Sequence, residues 1–396
     1  MNLFQARQNM QQDDFDALRP ILKVVGLGGG GSNTVNRMIE LNIAGVVEYI
    51  AVNTDAQALE NSLAPTKIQI GPKLTRGLGA GGDPRIGEAA AEESYKELNA
   101  ALAGADMVFL TAGMGGGTGT GAIPIAARVA RSLGAVTMSF VTMPFSFEVG
   151  RRQKNASIGL EKLKPYSDTL INVPNDRLLK IAPRDLPIES AFRLADDVLR
   201  QGIQGISELI TQPGLINVDF SHICSMVQNG GASLLSIGYG QGSGKTLQAV
   251  QQALRHPLLE SVSLNHASGI IANFTGGYDL TFLEIADALT FLQAETNHQA
   301  DIIPGVINDD RMEDRVQVIM VITGVDGHPL HPDQKAAPSK QVEQPPIVNE
   351  VTILPDAVEE DESHYLHDQI ERIPPIEATS PLVNLDLPAF IRRRVR

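Results

Sequence analysis

Residues 106–121 read DMVFLTAGMGGGTGTG, an apolar run leading into six glycines within nine residues. The run Asp106–Ala112 is uninterrupted, as expected of a strand covered on both faces inside a parallel sheet. Glycine loses more conformational freedom on folding than any other residue, and a plain strand-to-helix turn does not need so many. A loop wrapped around a polyphosphate does, because bare backbone can approach the anion and turn its N–H groups inward. Thr118 and Thr120 add hydroxyl donors, and Thr118–Leu133 reads as the helix that follows.

Working outward, the same pattern recurs. Ile21–Gly26 (ILKVVG) reads as a buried strand, and Gly26–Gly31 (GLGGGG) satisfies G-x-G-x-x-G before a helix over Thr34–Leu41. Glycines at such a turn let helix N-terminal N–H groups face a phosphate. A third cluster, Gly77–Pro84 (GLGAGGDP), could close over a γ-phosphate. Val46–Asn53 and Ala135–Met143 are further apolar runs. Strands alternating with helical patterns predict parallel βαβ units. The G-x-G-x-x-G motif alone leaves an NAD-dependent oxidoreductase open, with Asp55 as a ribose acid. The chain shows no hydride-transfer constellation, however, and that reading leaves the glycines at 113–121 without a purpose.

In mid-chain, Ile188, Phe192, Ala195, Leu199, Ile203, Ile206 and Ile210 recur at spacings of three and four. They predict a helix ~35 Å long, broken by Pro213-Gly214 and joining two domains. The second domain, about 220–326, mixes strands (Ala232–Gly238, Gly269–Phe274, Arg315–Thr323) with helices (Thr246–Arg255, Thr281–Ala294). The expected fold class is therefore α/β: a Rossmann-like parallel-sheet domain over 21–186, a central helix over 187–213 and a smaller α+β domain over 214–326. Residues 1–20 read as a flexible arm. Residues 329–380 hold eight prolines and eleven acidic against three basic residues, a composition that cannot bury enough apolar surface to fold. The stretch 327–384 is read as a disordered linker spanning ~40 Å, ending in the apolar-basic peptide 385–396.

A formal charge of −14 argues against tracking nucleic acid or anionic membrane. The single Cys224 allows no internal disulfide and fits a reducing compartment. No signal peptide or membrane-length apolar run stands out, so the expected address is the cytoplasm. The eight histidines show no metal-ligand spacing, and no resident metal is assigned. Gly242-Ser243-Gly244-Lys245-Thr246 resembles the end of a P-loop, but the required glycine five residues upstream is Tyr239. It reads as a surface turn.

The motif GGGTGTG at 115–121, in its strand–loop–helix setting, resembles the signature of the tubulin/FtsZ family. Agreement with bacterial FtsZ extends through GLGGGGSN (26–33), AVNTDAQAL (51–59), TRGLGAGGDP (75–84), PFSFE (144–148), VPNDRLL (173–179), ELITQPGLINVDF (208–220) and LDLPAFIRRR (385–394). The resemblance implies a GTP/GDP site with Mg²⁺ on the β- and γ-phosphates. Gly29, Gly30 and Asn33 would lie at the phosphates, wrapped by Gly115, Gly116, Gly117, Thr118 and Gly119. Pro144, Glu148 and Arg152 would frame the ribose. Asn175 and Asp197 would read the guanine, with Phe192 packing on the base. It also implies head-to-tail self-assembly into a cell-division ring at midcell. GTP would be hydrolysed where the next subunit's loop supplies Asn217 and Asp219. Leu385–Arg396 would dock on membrane-tethering division proteins.

One position departs from the pattern. His222 stands where the family usually has a second acidic residue, and a histidine, neutral or cationic, is no permanent anion. GTP binding is untouched by this, but the rate of hydrolysis is in question. An assembly-only paralog that co-polymerises with a second homolog therefore stays open beside the GTPase.

Overall fold

The computed structural model describes residues 20–325, apart from 42–46, 149, 181, 184, 213, 217, 260–263, 265 and 266. The arm (save Pro20), the linker, the tail peptide, Pro213 and Asn217 lie outside the described residues.

In the first part of the chain, β1 (Leu22–Leu27), α1 (Gly28–Glu40), β2 (Val47–Asn53), α2 (Ala56–Glu60), β3 (Thr66–Gln69) and α3 (Pro72–Thr75) are followed by α4 (Pro84–Glu93) and α5 (Tyr95–Leu102). Then come β4 (Met107–Gly113), α6 (Thr118–Ser132), β5 (Val136–Met143), α7 (Arg151–Leu163), β6 (Thr169–Pro174) and α8 (Asn175–Leu178). The central helix α9 (Ile188–Thr211) leads to α10 (Phe220–Gln228), β7 (Gly231–Gln241), α11 (Lys245–Leu254), β8 (Gly269–Gly276), α12 (Phe282–Glu295), β9 (Asp301–Asn308) and β10 (Arg315–Thr323).

The strands form one sheet in the order β3-β2-β1-β4-β5-β6-β7-β10-β8-β9. The first six pair in parallel, and alternate residues of each strand feed different cores. On β4, Met107 and Phe109 pack with the α9 side, while Val108, Leu110 and Ala112 pack with the α6 side. This is the period-2 alternation of a strand buried on both faces. Strand order reverses at β1, flanked by β2 and β4. Ligands of open α/β sheets sit at the carboxyl ends of strands at such a switch point.

The second part is continuous with the first. β6 pairs with β7 in parallel over three residues, Thr169–Ile171 with Gly231–Ser233. β10 then lies antiparallel to both β7 and β8. The central helix is no free-standing connector. Its glycines let it lie close to both parts of the sheet: a Cβ on Gly202 would fall 2.8 Å from Phe140, and one on Gly205 3.0 Å from Ile319. Two members of its predicted apolar stripe face outward, Ile188 at 67% exposure and Phe192 at 37%.

Helix α1 begins at Gly28, six residues earlier than the sequence pattern indicates. Glycine is a poor helix former, so propensity assigns these residues to a loop. Packing overrides it here, because α1 must start directly off β1 to lie against β4.

Candidate nucleotide site

Two helices start side by side at the switch point. α1 follows β1 and α6 follows β4, and neither has a side-chain cap or an acidic residue in its first turn. The first N–H groups of a helix have no partner within it and carry the positive end of its dipole. A pair of uncapped starts is an anion-binding arrangement.

The glycines divide into two kinds. Gly28 has φ +69°, and a Cβ there would fall 2.7 Å from Gly119 N. Gly31 would meet Thr111 O at 2.2 Å. These positions are glycine because backbone packs on backbone. Gly29 and Gly116 differ: a Cβ there would meet nothing within 4 Å, and neither has a positive φ. The fold gives no reason for glycine at either position, but a ligand lying against the bare backbone does.

Neighbouring groups close the ring. The Thr54 and Thr118 hydroxyls are 2.6 Å apart. The third glycine cluster reaches the same loop, with Ala80 O 3.2 Å from where a Gly117 Cβ would sit. Asn155 Nδ2 donates to Gly82 O at 3.2 Å, tying that cluster to α7. Thr120 corrects an expectation. It is 1% exposed and its hydroxyl accepts the Gly115 N–H at 2.8 Å, so it braces the loop instead of facing a ligand.

Beyond the loops, several of the remaining expected residues are linked to one another. Arg152 O lies 3.0 Å from where a Gly115 Cβ would be. Arg152 pairs with Glu148, whose Oε1 accepts the Phe145 N–H at 2.9 Å. Pro144 is buried, and its carbonyl accepts from Gln153 Nε2. Phe145 meets Phe192 edge-on, with ring centroids 5.2 Å apart. Ser146 N donates to Asp176 Oδ1, which brings the turn carrying Asn175 alongside. Asn175 is 4% exposed, and its Oδ1 has no hydrogen-bond partner among the described residues. Gly30 is half-buried and Asn33 exposed, both on α1. Asp197 accepts from Arg200 Nε at 2.7 Å and Gln201 Nε2 at 2.6 Å. Each of its oxygens keeps a second lone pair.

Residues 21–183 match the Tubulin/FtsZ family, GTPase domain, and residues 231–326 match the FtsZ family, C-terminal domain. The empty FtsZ dimer of M. jannaschii is 41% identical, covering 83% of this chain and 94% of its own, with a TM-score of 0.76. The chain belongs to the tubulin/FtsZ family. A mutant form of the M. jannaschii FtsZ is similar at 42% identity, over 81% of this chain and 96% of its own, again at 0.76. CetZ2 of Haloferax volcanii, in a GTPγS-bound protofilament, shares the fold at 21% identity and a TM-score of 0.65, over 77% and 93% of the two chains.

As a tubulin/FtsZ family member the chain binds GTP and GDP through its first domain. The P-loop-like fragment belongs to the other end of the sheet. Lys245 is 5% exposed and donates to Asp279 Oδ2 at 2.6 Å, so it ties α11 to the segment before α12.

Sequence reasoning overlooked Arg37 and Asp196. A cavity of about 340 Å³ has Arg37 and Asp197 in its wall, and Arg37 Nε is buried without a hydrogen-bond partner among the described residues. Burial pushes the Asp196 carboxyl up to about 7, with Asp197 adding to the rise and Arg37 opposing it. In the unfolded chain the group ionises near 3.8. Between those values unfolding releases a proton, so stability falls as pH rises, and the loss is complete above about 7. Asp196→Asn should therefore melt higher than the native protein at pH 8, by on the order of a few kcal/mol at most. The advantage should shrink to nothing near pH 4. Melting curves at four or five pH values check this, and an equal effect at every pH would contradict it.

Proposed function

We propose that this protein is a GTP-dependent polymerising cytoskeletal protein that hydrolyses GTP between head-to-tail subunits and builds a cell-division ring. In this reading Gly29, Gly30, Asn33 and Gly115–Gly119 receive the phosphates. Pro144, Glu148 and Arg152 frame the ribose, Asn175 and Asp197 read guanine, and Phe192 covers the base. Mg²⁺ would come bound to the nucleotide and would neutralise phosphate charge there.

The observation that carries the shared-site reading is where Asp219 lies. It caps α10. His222, whose N–H donates to Asp219 O, lies 2.9 Å from Asp301 Oδ2 at the start of β9. β9 runs in the same direction as β4, so its start lies opposite the carboxyl ends that carry the glycine loops. Asp219 therefore belongs at the far end of the sheet from its own glycine loops. It can meet a nucleotide only on a second copy, in a heterologous contact that propagates as a filament.

GTP turnover should consequently rise more steeply than linearly with protein concentration, in step with light scattering. A dilute monomer with the full rate per molecule would overturn the proposal. Leu385–Arg396 is proposed to tether filaments to membrane-bound division proteins, and deleting 385–396 should abolish recruitment to the division site while leaving assembly in solution. No described helix is long and apolar enough to cross a membrane.

A further inference from the structure

A carboxylate from another part of the fold lies beside His222. His222 Nε2 lies 2.9 Å from Asp301 Oδ2. Asp301 opens β9, 79 residues further along the chain. His222 sits in the first turn of α10, its N–H donating to Asp219 O at 3.0 Å. Asp219 and His222 are three residues apart and so share one side of that turn. The two paired side chains are 50% and 61% exposed. An ion pair so exposed adds little stability, so folding energy does not account for the arrangement. Other charged groups on this side are Asp219 itself and, beyond Cys224, Asp106.

We propose that Asp301 is a positioning residue that orients His222 to act as the general base on the neighbouring subunit's GTP. This rests on the shared-site reading above. By accepting the Nε2–H, Asp301 fixes the ring and leaves Nδ1 as the basic nitrogen of the neutral tautomer. In the reaction, water forms a bond to the γ-phosphorus and gives a proton to Nδ1. The bond from that phosphorus to the β–γ bridging oxygen breaks, and the oxygen keeps the electron pair as GDP leaves. The imidazolium then returns its proton to solvent. Asp219 remains an acceptor that helps to orient the water. His222 is thus a working replacement for the usual acid, provided Asp301 is beside it.

The test uses full-length protein, with kcat and KM for GTP measured beside the sedimented polymer fraction. Asp301→Asn should lower kcat by about ten- to a hundredfold, with KM and polymer mass unchanged. Asp301→Glu, which keeps the carboxylate, should recover most of the rate. Ring ¹⁵N shifts of His222, assigned with His222→Gln, should report the Nε2–H tautomer in the native chain and its loss in Asp301→Asn. A native rate in Asp301→Asn or His222→Gln would overturn the inference. So would a loss of polymer parallel to the loss of rate that Asp301→Glu does not relieve, because the pair would then be a structural bridge. Asp219→Ala separates the two levels. If it is inactive while Asp301→Asn is normal, only this inference falls. If it is also normal, the shared site falls with it.

Discussion

Gly31→Ala should cost ~3 kcal/mol or more of stability, while Gly29→Ala, two residues away, should fold at least as well as the native chain and bind GTP at least tenfold more weakly. The difference lies in what each added methyl meets. At Gly31 it falls 2.2 Å from Thr111 O and 2.9 Å from Gly26 C. Both are backbone atoms of buried strands, so relief requires α1 to move off the sheet. At Gly29 it meets no protein atom within 4 Å, and replacing a helical glycine by alanine stabilises by up to about 1 kcal/mol. On the proposed reading, that methyl takes up space which the phosphates would otherwise fill. A tenfold loss corresponds to about 1.4 kcal/mol, a modest requirement for a methyl placed against a phosphate. Thermal melts without nucleotide, paired with GTP titrations, check both halves. Native GTP affinity in Gly29→Ala would mean that this face is not the phosphate face.

On the proposed reading, Asp197→Ala should weaken GTP binding by on the order of 3 kcal/mol, over a hundredfold, because guanine's N1–H and exocyclic NH₂ would lose their acceptor. ATP, which lacks that donor pair, should bind as poorly as before, so the guanine preference collapses. Stability should barely change. The Asp197 contacts to Arg200 and Gln201 lie within one helix and are partly exposed, and such pairs contribute at most about 1 kcal/mol. Calorimetric titration with both nucleotides decides the matter. Unchanged GTP affinity would remove Asp197 from the site.

Most of the parallel half of the fold was legible because its strands are continuous apolar runs and its glycine loops sit directly after them. Three strands were not: β3, only four residues long, and β6 in the parallel half, and β9 in the second. β6 (TLINVP) is short and ends in proline, and β9 (DIIPGVIN) carries Pro304 and Gly305 inside it, residues that signal a turn when neighbours are unknown. The structure shows why β9 tolerates both. It is an edge strand whose neighbour among the described strands is β8, and at an edge proline is permitted. Gly305 makes room for Leu209, whose Cδ2 would be 1.8 Å from an added Cβ. At the proposed site, pattern reaches only residues that stand in a recognisable motif or spacing. Arg37 lies outside every motif quoted above. Asp301 is joined to His222 only by folding, so no spacing rule could have paired them.

The two ends of the ten-stranded sheet bear on a hazard that any self-assembling protein faces. A sheet edge offers a row of unpaired backbone groups to any passing strand, and a molecule concentrated in filaments meets its own copies constantly. Here one margin is β3, only four residues long with Lys67 in it, and the other is β9, where Pro304 has no N–H to offer. Sideways accretion of strand onto strand is discouraged at both margins. Reversible growth through folded ends can then proceed without competition from irreversible, amyloid-like stacking.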